Sequence, residues 1–251
     1  MTTDPVIKAA LEQLVGRDKA ERWAGAYTAA AQMADLGHGK RLEHFLAQTL
    51  HETGGLKWLE EIWGPTPAQE RYEGRADLGN TQPGDGHRFR GRGLLHLTGR
   101  ANYTRYAAEA GSAAVLEDPD LVAQPPHAAL SAAWYWRRRG INTFADRDDL
   151  EAVTRAVNGG LTHLEQRREW LGRARLALST AQAANRPGGQ ERLGRHEPLV
   201  LHDLTDADHR ALLRAWLDGQ RTVVLTGAWL ATRTSSSGEP ATTKLDVRRT
   251  T

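Results

Sequence analysis

The chain has 251 residues, 39% of them hydrophobic and 25% charged, and a formal net charge of +2. That length supports one generous domain, or one domain with a small appendage, and the composition excludes a wholly disordered chain. Cysteine is absent, which removes disulfide scaffolds, thiolate zinc sites and cysteine nucleophiles together, and no apolar run approaches the length of about 18 residues that a membrane-spanning helix needs.

In chain order, Asp4-Pro5 opens the first predicted helix, with the aspartate as cap and proline at the first helical position. Val6, Ala10, Leu11 and Leu14 keep the helical period after it. A second helix is expected over 18–36 and a third over 42–53, the latter with Leu42, Phe45, Leu46 and Leu50 on one face. Residues 63–93 are rich in Gly, Pro, Asn and Asp and read as a loop region with one short hairpin. A loop of about 30 residues inside a compact domain usually carries function. Helices resume at 99–110, 126–139, 148–157 and 164–184. The pattern stops at Asn185, so the first domain is placed at 1–185. Residues 186–251 read as a linker, a helix over about 206–218, a strand or helix start at 222–226, and a flexible tail from about Ser235. The N-terminus lacks the basic and apolar regions of a secretory signal.

The segment His51-Glu52-Thr53-Gly54-Gly55 ends the third helix. A zincin site is excluded because position 55 is glycine, not the second histidine. A scattered metal set drawn from His44, His51, His87 and His96 stays open. Glu61 stands nine residues after Glu52. On an unbroken helix those side chains would lie on opposite faces, about 13.5 Å apart along the axis. The two glycines remove that constraint and let the carboxylates face each other across a cleft. An inverting glycosidase needs about 6.5–9.5 Å between its carboxyl groups, which the spacing permits. Glu60 is an equal candidate for the second carboxylate on composition alone. From 71 to 105 there are seven Arg against three acids, a local excess of +4. Together with Tyr72, Phe89, Tyr103 and several amides, this suits the basic rim of a cleft for an acid-bearing sugar polymer, or for a nucleic-acid strand. The isoelectric point near 9.0 is concentrated there. Gly91-Arg92-Gly93 is no phosphate loop, since no Gly-Lys-Ser/Thr follows.

The run from Phe45 to Gly55 resembles the acid-bearing segment of glycoside hydrolase family 19, which holds plant-type chitinases and many phage endolysins. Residues 78–86, 89–93 and 97–103 resemble its central signature. Two further blocks agree: Trp134-Tyr135-Trp136 through Asn142 to Asp146, and Val153 to Gly160 with Arg167 downstream. The likeness spans roughly 40–172 and is strongest to the bacterial and phage branch.

The resemblance implies a mostly α, lysozyme-like α+β domain with a long loop and short hairpin lining a cleft, and an inverting hydrolysis of peptidoglycan. Glu52 matches the general acid, Glu61 the general base, and Thr98 the hydroxyl that helps hold the attacking water. Asn102, Tyr103, Asn158 and Arg167 match residues framing the sugar site, and Tyr72 joins them as a loop aromatic. His96 stands where the family usually has Gln, which changes the sugar contact there and introduces a titratable ring. For Glu52 to act as an acid its proton affinity must be raised, and burial beside Phe45 or Trp58 is the expected cause. No metal or organic cofactor is implied. The expected partner is the glycan strand of peptidoglycan, met by a monomer made in a bacterial cytoplasm and released to the wall. Chitin is the alternative substrate. A catalytically inactive wall-binding module is the alternative of another class, and no recognised module supports nucleic-acid binding.

Overall fold

In the computed structural model, residues 3–186 are described throughout, followed by the backbone of three short strands. Asp4 caps α1 (Pro5–Val15): its carboxylate accepts from the Val6 and Ile7 amides at 2.9 and 3.1 Å. This satisfies two of the donors that a helix start leaves orphaned. Gly16 then turns the chain at φ 89° into α2 (Arg17–Met33), and α3 (Lys40–Glu52) follows. These match the expected helices within a few residues.

Helix α3 is the centre of the domain. Its apolar side buries Leu42, Phe45, Leu46 and Leu50, and the Phe45 ring packs edge-on against Trp136 and Tyr27 at 5.3 and 6.1 Å. Its other side carries His44, Gln48 and Glu52 at four-residue spacing, one polar stripe running to the helix end. The long α11 (Leu164–Ala184) packs on α1 and α3, while α8 (His127–Arg138) packs on α2.

The region expected as loop and hairpin is more helical than its composition implies. It holds α4 (Pro67–Glu70), a 3-10 turn at Ala76–Leu78 and α5 (Asp85–Arg88). The hairpin shrinks to two isolated bridges, Glu60 with Arg92 and Arg92 with Leu97. Side chains hold this region where a ladder would: Thr66 and Gln69 form a capping box on α4, and Asn80 donates to the Tyr72 carbonyl at 2.9 Å. Helix α6 (Arg100–Ala110) starts at Gly99, φ 91°, where a Cβ would stand 2.7 Å from the Leu78 carbonyl oxygen, so only glycine lets the loop close on the helix.

The chain then passes through α7 (Ala114–Glu117) and a 3-10 turn at Pro119–Ala123, and beyond α8 through α9 (Asn142–Asp146) and α10 (Leu150–Asn158). Phe89, Tyr103, Tyr106, Val122 and Trp134 form a second apolar cluster between the loop and α8.

The chain divides into units at Arg186/Pro187. In the second unit β1 (Leu199–Leu201) and β2 (Val224–Leu225) each pair antiparallel with β3 (Leu245–Arg248), in the order β1-β3-β2. The helix expected over 206–218 lies outside the described residues, as does the stretch from Ser235 to Lys244. Strand β3 falls within the expected flexible tail. The alternation Leu245-Asp246-Val247-Arg248 is the period-two signal of a strand. No helix of the described residues is long and apolar enough to cross a membrane.

Candidate active site

The polar stripe of α3 ends in Glu52, whose carboxylate accepts a hydrogen bond from Arg167 Nη2 at 2.6 Å. Arg167 comes from the first turns of α11 and is 2% exposed. Its guanidinium is fixed from three directions. Nε donates to the Thr162 carbonyl at 3.2 Å, Nη1 donates to Gln48 Oε1, and Nη2 holds Glu52. Gln48 is itself fully buried and donates through Nε2 to Thr154 on α10 at 3.2 Å. One side-chain chain therefore ties α10, α3 and α11 together behind the carboxylate.

Two sequence expectations change here. Phe45 is in the core and Trp58 is 47% exposed over Gly54, so the group that grips Glu52 is the Arg167 cation, not an apolar wall. Arg167, expected at the sugar, is buried behind Glu52 and holds its carboxylate. Beside it, the His51 ring lies 5.6 Å from His163. Burial first, and then the Arg167 charge, holds His51 below the usual imidazole range.

After α3 the chain turns through Gly54 and Gly55, both at positive φ, so the segment bearing Glu61 departs from the helix axis. Glu61 is fixed at its backbone by a 2.8 Å bond from its amide to the Gly91 carbonyl. Its carboxylate accepts from Gln69 Nε2 at 3.1 Å, from the Tyr72 hydroxyl at 3.4 Å and from the Gly91 amide at 3.3 Å. The Glu61 charge and hydrogen bond add to burial in pushing the Tyr72 phenol up. Tyr72 thus serves the carboxylate directly. Glu60, one residue earlier on an extended backbone, takes Arg90 Nε at 2.8 Å and is held in an ion pair with it.

Gly91 is where the parts meet. A Cβ built on it would stand 3.3 Å from Glu61 Oε2, 3.2 Å from Thr98 Oγ1 and 3.2 Å from the His96 Cβ. The carboxylate and the hydroxyl therefore converge on the same side of the Gly91 backbone, where a side chain would crowd both. Thr98 donates to the His96 carbonyl at 2.8 Å, so its oxygen lone pairs remain available as acceptors. His96 itself sits at φ 48°, left-handed for a residue with a side chain. Thr98, His96 and Asn102 line a cavity of about 220 Å³ with Ser131, Tyr135 and Val157. Asn102 is held there by a 2.8 Å bond to the Thr98 carbonyl. Asn158 ends α10, exposed.

Tyr103 does not reach the cleft. It is fully buried, its hydroxyl donates to the Arg90 carbonyl at 3.1 Å and accepts from Arg92, and burial pushes its phenol up to about 12. Its work is to hold the loop. Five of the seven arginines of 71–105 are bound within the fold, although only Arg92 is fully buried. Arg75 binds Asp77, Arg88 donates to the Leu116 and Glu117 carbonyls, Arg90 binds Glu60, buried Arg92 binds Asp120, and Arg100 binds Asp85. The local excess of charge reads as a basic rim in one dimension; in three it is a set of staples. Sequence reasoning missed Gln48, Gln69 and Gly91. The spacing of Thr66 and Gln69 is a capping-box signal and was available; the other two act through contacts distant in sequence.

Comparison with known proteins places these features in context. The family described as Chitinase class I matches residues 19–143. A glycosyl hydrolase family 19 domain-containing protein of Haemophilus influenzae is 29% identical over 173 residues, covering 57% of this chain and 84% of that protein. An endochitinase of Arabidopsis thaliana is 31% identical over 140 residues, covering 54% of this chain and 46% of its own length. Among solved structures, chitinase C from Streptomyces griseus superposes with a TM-score of 0.57 at 21% identity, over 71% of this chain and 78% of that one. A bacterial family 19 chitinase gives 0.55 at 23% identity, over 69% and 95%. These likenesses establish a shared fold. Asn158 and Arg167 lie beyond the residues the family description matches.

Proposed function

Because the chain belongs to glycoside hydrolase family 19 and is a glycoside hydrolase, we propose that it cuts β-1,4 bonds of peptidoglycan by an inverting reaction, with Glu52 as acid and Glu61 as base. The observation that carries the reading is the convergence of Glu61 Oε2 and Thr98 Oγ1 on one side of Gly91. A water bridging these two groups gives one hydrogen to the carboxylate and the other to the hydroxyl. A lone pair on its oxygen is then free for the anomeric carbon of a sugar in the cleft. Water adds to that carbon as the bond to the leaving oxygen breaks. Glu52 delivers its proton to that oxygen, and Glu61 takes the proton from the water. Arg167 steadies the carboxylate that Glu52 becomes, and Asn102 and Asn158 are placed as amide contacts for the sugar. The reading needs no metal or organic cofactor.

Peptidoglycan is preferred for the close spacing of the two carboxylates, which resembles the endolysin branch, and for the absence of cysteine, which suits a protein made in a reducing bacterial cytoplasm and released to the wall. Chitin is the second reading, favoured by the printed names of the relatives. The test is mass analysis of digested peptidoglycan beside digested chitin oligomers. A new reducing end from peptidoglycan supports the proposal, and cleavage of chitin alone replaces it with the second reading. E52Q is expected to abolish product and E61Q nearly to do so, each keeping the wild-type helical circular dichroism. Full activity in either variant would sink the assignment of that residue.

A further inference from the structure

The staples described above leave open what in this chain would recognise an acidic substituent, since five of the seven loop arginines are occupied within the fold. The end of α8 offers an answer. It carries three consecutive arginines. Arg137 and Arg138 are both committed to Glu109, at 3.3 and 2.9 Å. Arg139 is the C-cap residue, exposed, and has no carboxylate partner among the described residues. Its guanidinium lies instead over the ring of Tyr135, 5.1 Å from the centroid.

Tyr135 is a wall of the same cavity that Thr98, Asn102 and His96 line. Its ring is held from the far end, because its hydroxyl donates to the Ala156 carbonyl on α10 at 2.9 Å. A guanidinium stacked on a fixed ring loses little freedom when it takes up a ligand. The residues lining the cavity include no Lys, Arg, Asp or Glu. Arg139 is therefore a cation stacked on one wall of the proposed sugar cavity, with no carboxylate partner among the described residues.

We propose that Arg139 receives a carboxylate carried by a side group of the glycan, and so favours an acid-bearing polymer over a neutral one. The inference rests on the peptidoglycan reading for its ligand: the peptide stems of that polymer bear free carboxylates, as does the lactyl group wherever a stem is missing, whereas chitin bears none. A planar guanidinium meets a carboxylate with two parallel hydrogen bonds, a geometry that the ammonium of lysine cannot reproduce.

The test is binding to the full chain carrying E52Q, which holds substrate without cutting it, by isothermal titration calorimetry. One probe is a purified glycan oligomer with its peptide stems; the other is chitohexaose. Adding R139Q is expected to weaken the acidic probe about fivefold at low salt, to flatten the salt dependence of its binding, and to leave chitohexaose unchanged. R139K is expected to restore part of the loss. An unchanged affinity for the acidic probe overturns the proposal, as does an equal loss for both probes, which would mark Arg139 as a support of the cavity wall. An Arg139-dependent preference for the acidic probe in a chain that hydrolyses only chitin upholds the site and overturns the peptidoglycan reading by itself.

Discussion

Gln48 shows how a buried residue can govern one proposed to meet the substrate. Its carbonyl holds Arg167, and Arg167 holds Glu52. Gln48→Met would leave a buried guanidinium donor without an acceptor, a loss of about 1–3 kcal/mol. The expected outcome is a lower melting temperature together with a fall in kcat of about tenfold, KM moving little, because the acid is misdirected while the cavity is intact. Gly91→Ala works in the opposite way. The added methyl meets Glu61 and Thr98 at 3.2–3.3 Å, contacts that the fold tolerates by small shifts, but it crowds both base and hydroxyl. Loss of about a hundredfold in kcat with a nearly unchanged melting temperature is expected, and steady-state kinetics beside calorimetry will check it. His44 sets a pH dependence. It is fully buried against Asp148 at 2.8 Å, and burial, more than the opposing Asp148 bond, leaves it lowered from 6.5. The unfolded chain therefore binds the extra proton more readily. This contribution to stability is complete above about pH 6.5 and declines as pH falls below it. Melting temperatures from pH 7.5 to 5 should fall in the wild type and fall less steeply in His44→Gln.

At the scale of elements, long helices were legible and short ones were not, for a physical reason. Helix α1 announces itself through Asp4-Pro5 and a run of apolar positions at helical spacing. A four-residue helix such as α4 or α5 completes barely one turn, too little to display a period. Of the proposed site, Glu52, Glu61, Thr98, His96 and Asn102 come from recognisable motifs, and the structure sets Thr98, His96 and Asn102 around one cavity. The roles of Arg167, Tyr103 and the loop arginines were misread, because an ion pair between Arg100 and Asp85, fifteen residues apart, leaves no mark in a local charge count. That pair makes its own prediction. Asp85 is 1% exposed, and Arg100 Nε reaches it at 2.7 Å. Arg100→Met strands a buried carboxylate at about 3–5 kcal/mol. A lower melting temperature and faster proteolytic cutting within 63–99 are expected, with the double variant Asp85→Asn/Arg100→Met regaining part of the loss.

For the whole molecule, every residue assigned to the site falls within Met1–Arg186. A chain ending at Arg186 is expected to fold and to hydrolyse oligosaccharides within about twofold of the full chain, tested by calorimetry and product analysis; a collapse of either would assign the last 65 residues a part in the fold. Within the first unit, the two carboxylates proposed to react have unequal support. Glu52 terminates a helix of 13 residues whose apolar face is core, whereas Glu61 is held by hydrogen bonds to a loop built from one-turn helices and single bridges. Loosely laddered segments open before packed helices do. Warming should therefore disable the enzyme while its ellipticity is still native, and cooling should return it. The working ceiling of this catalyst is then set by its loop, several degrees beneath the temperature at which the molecule melts.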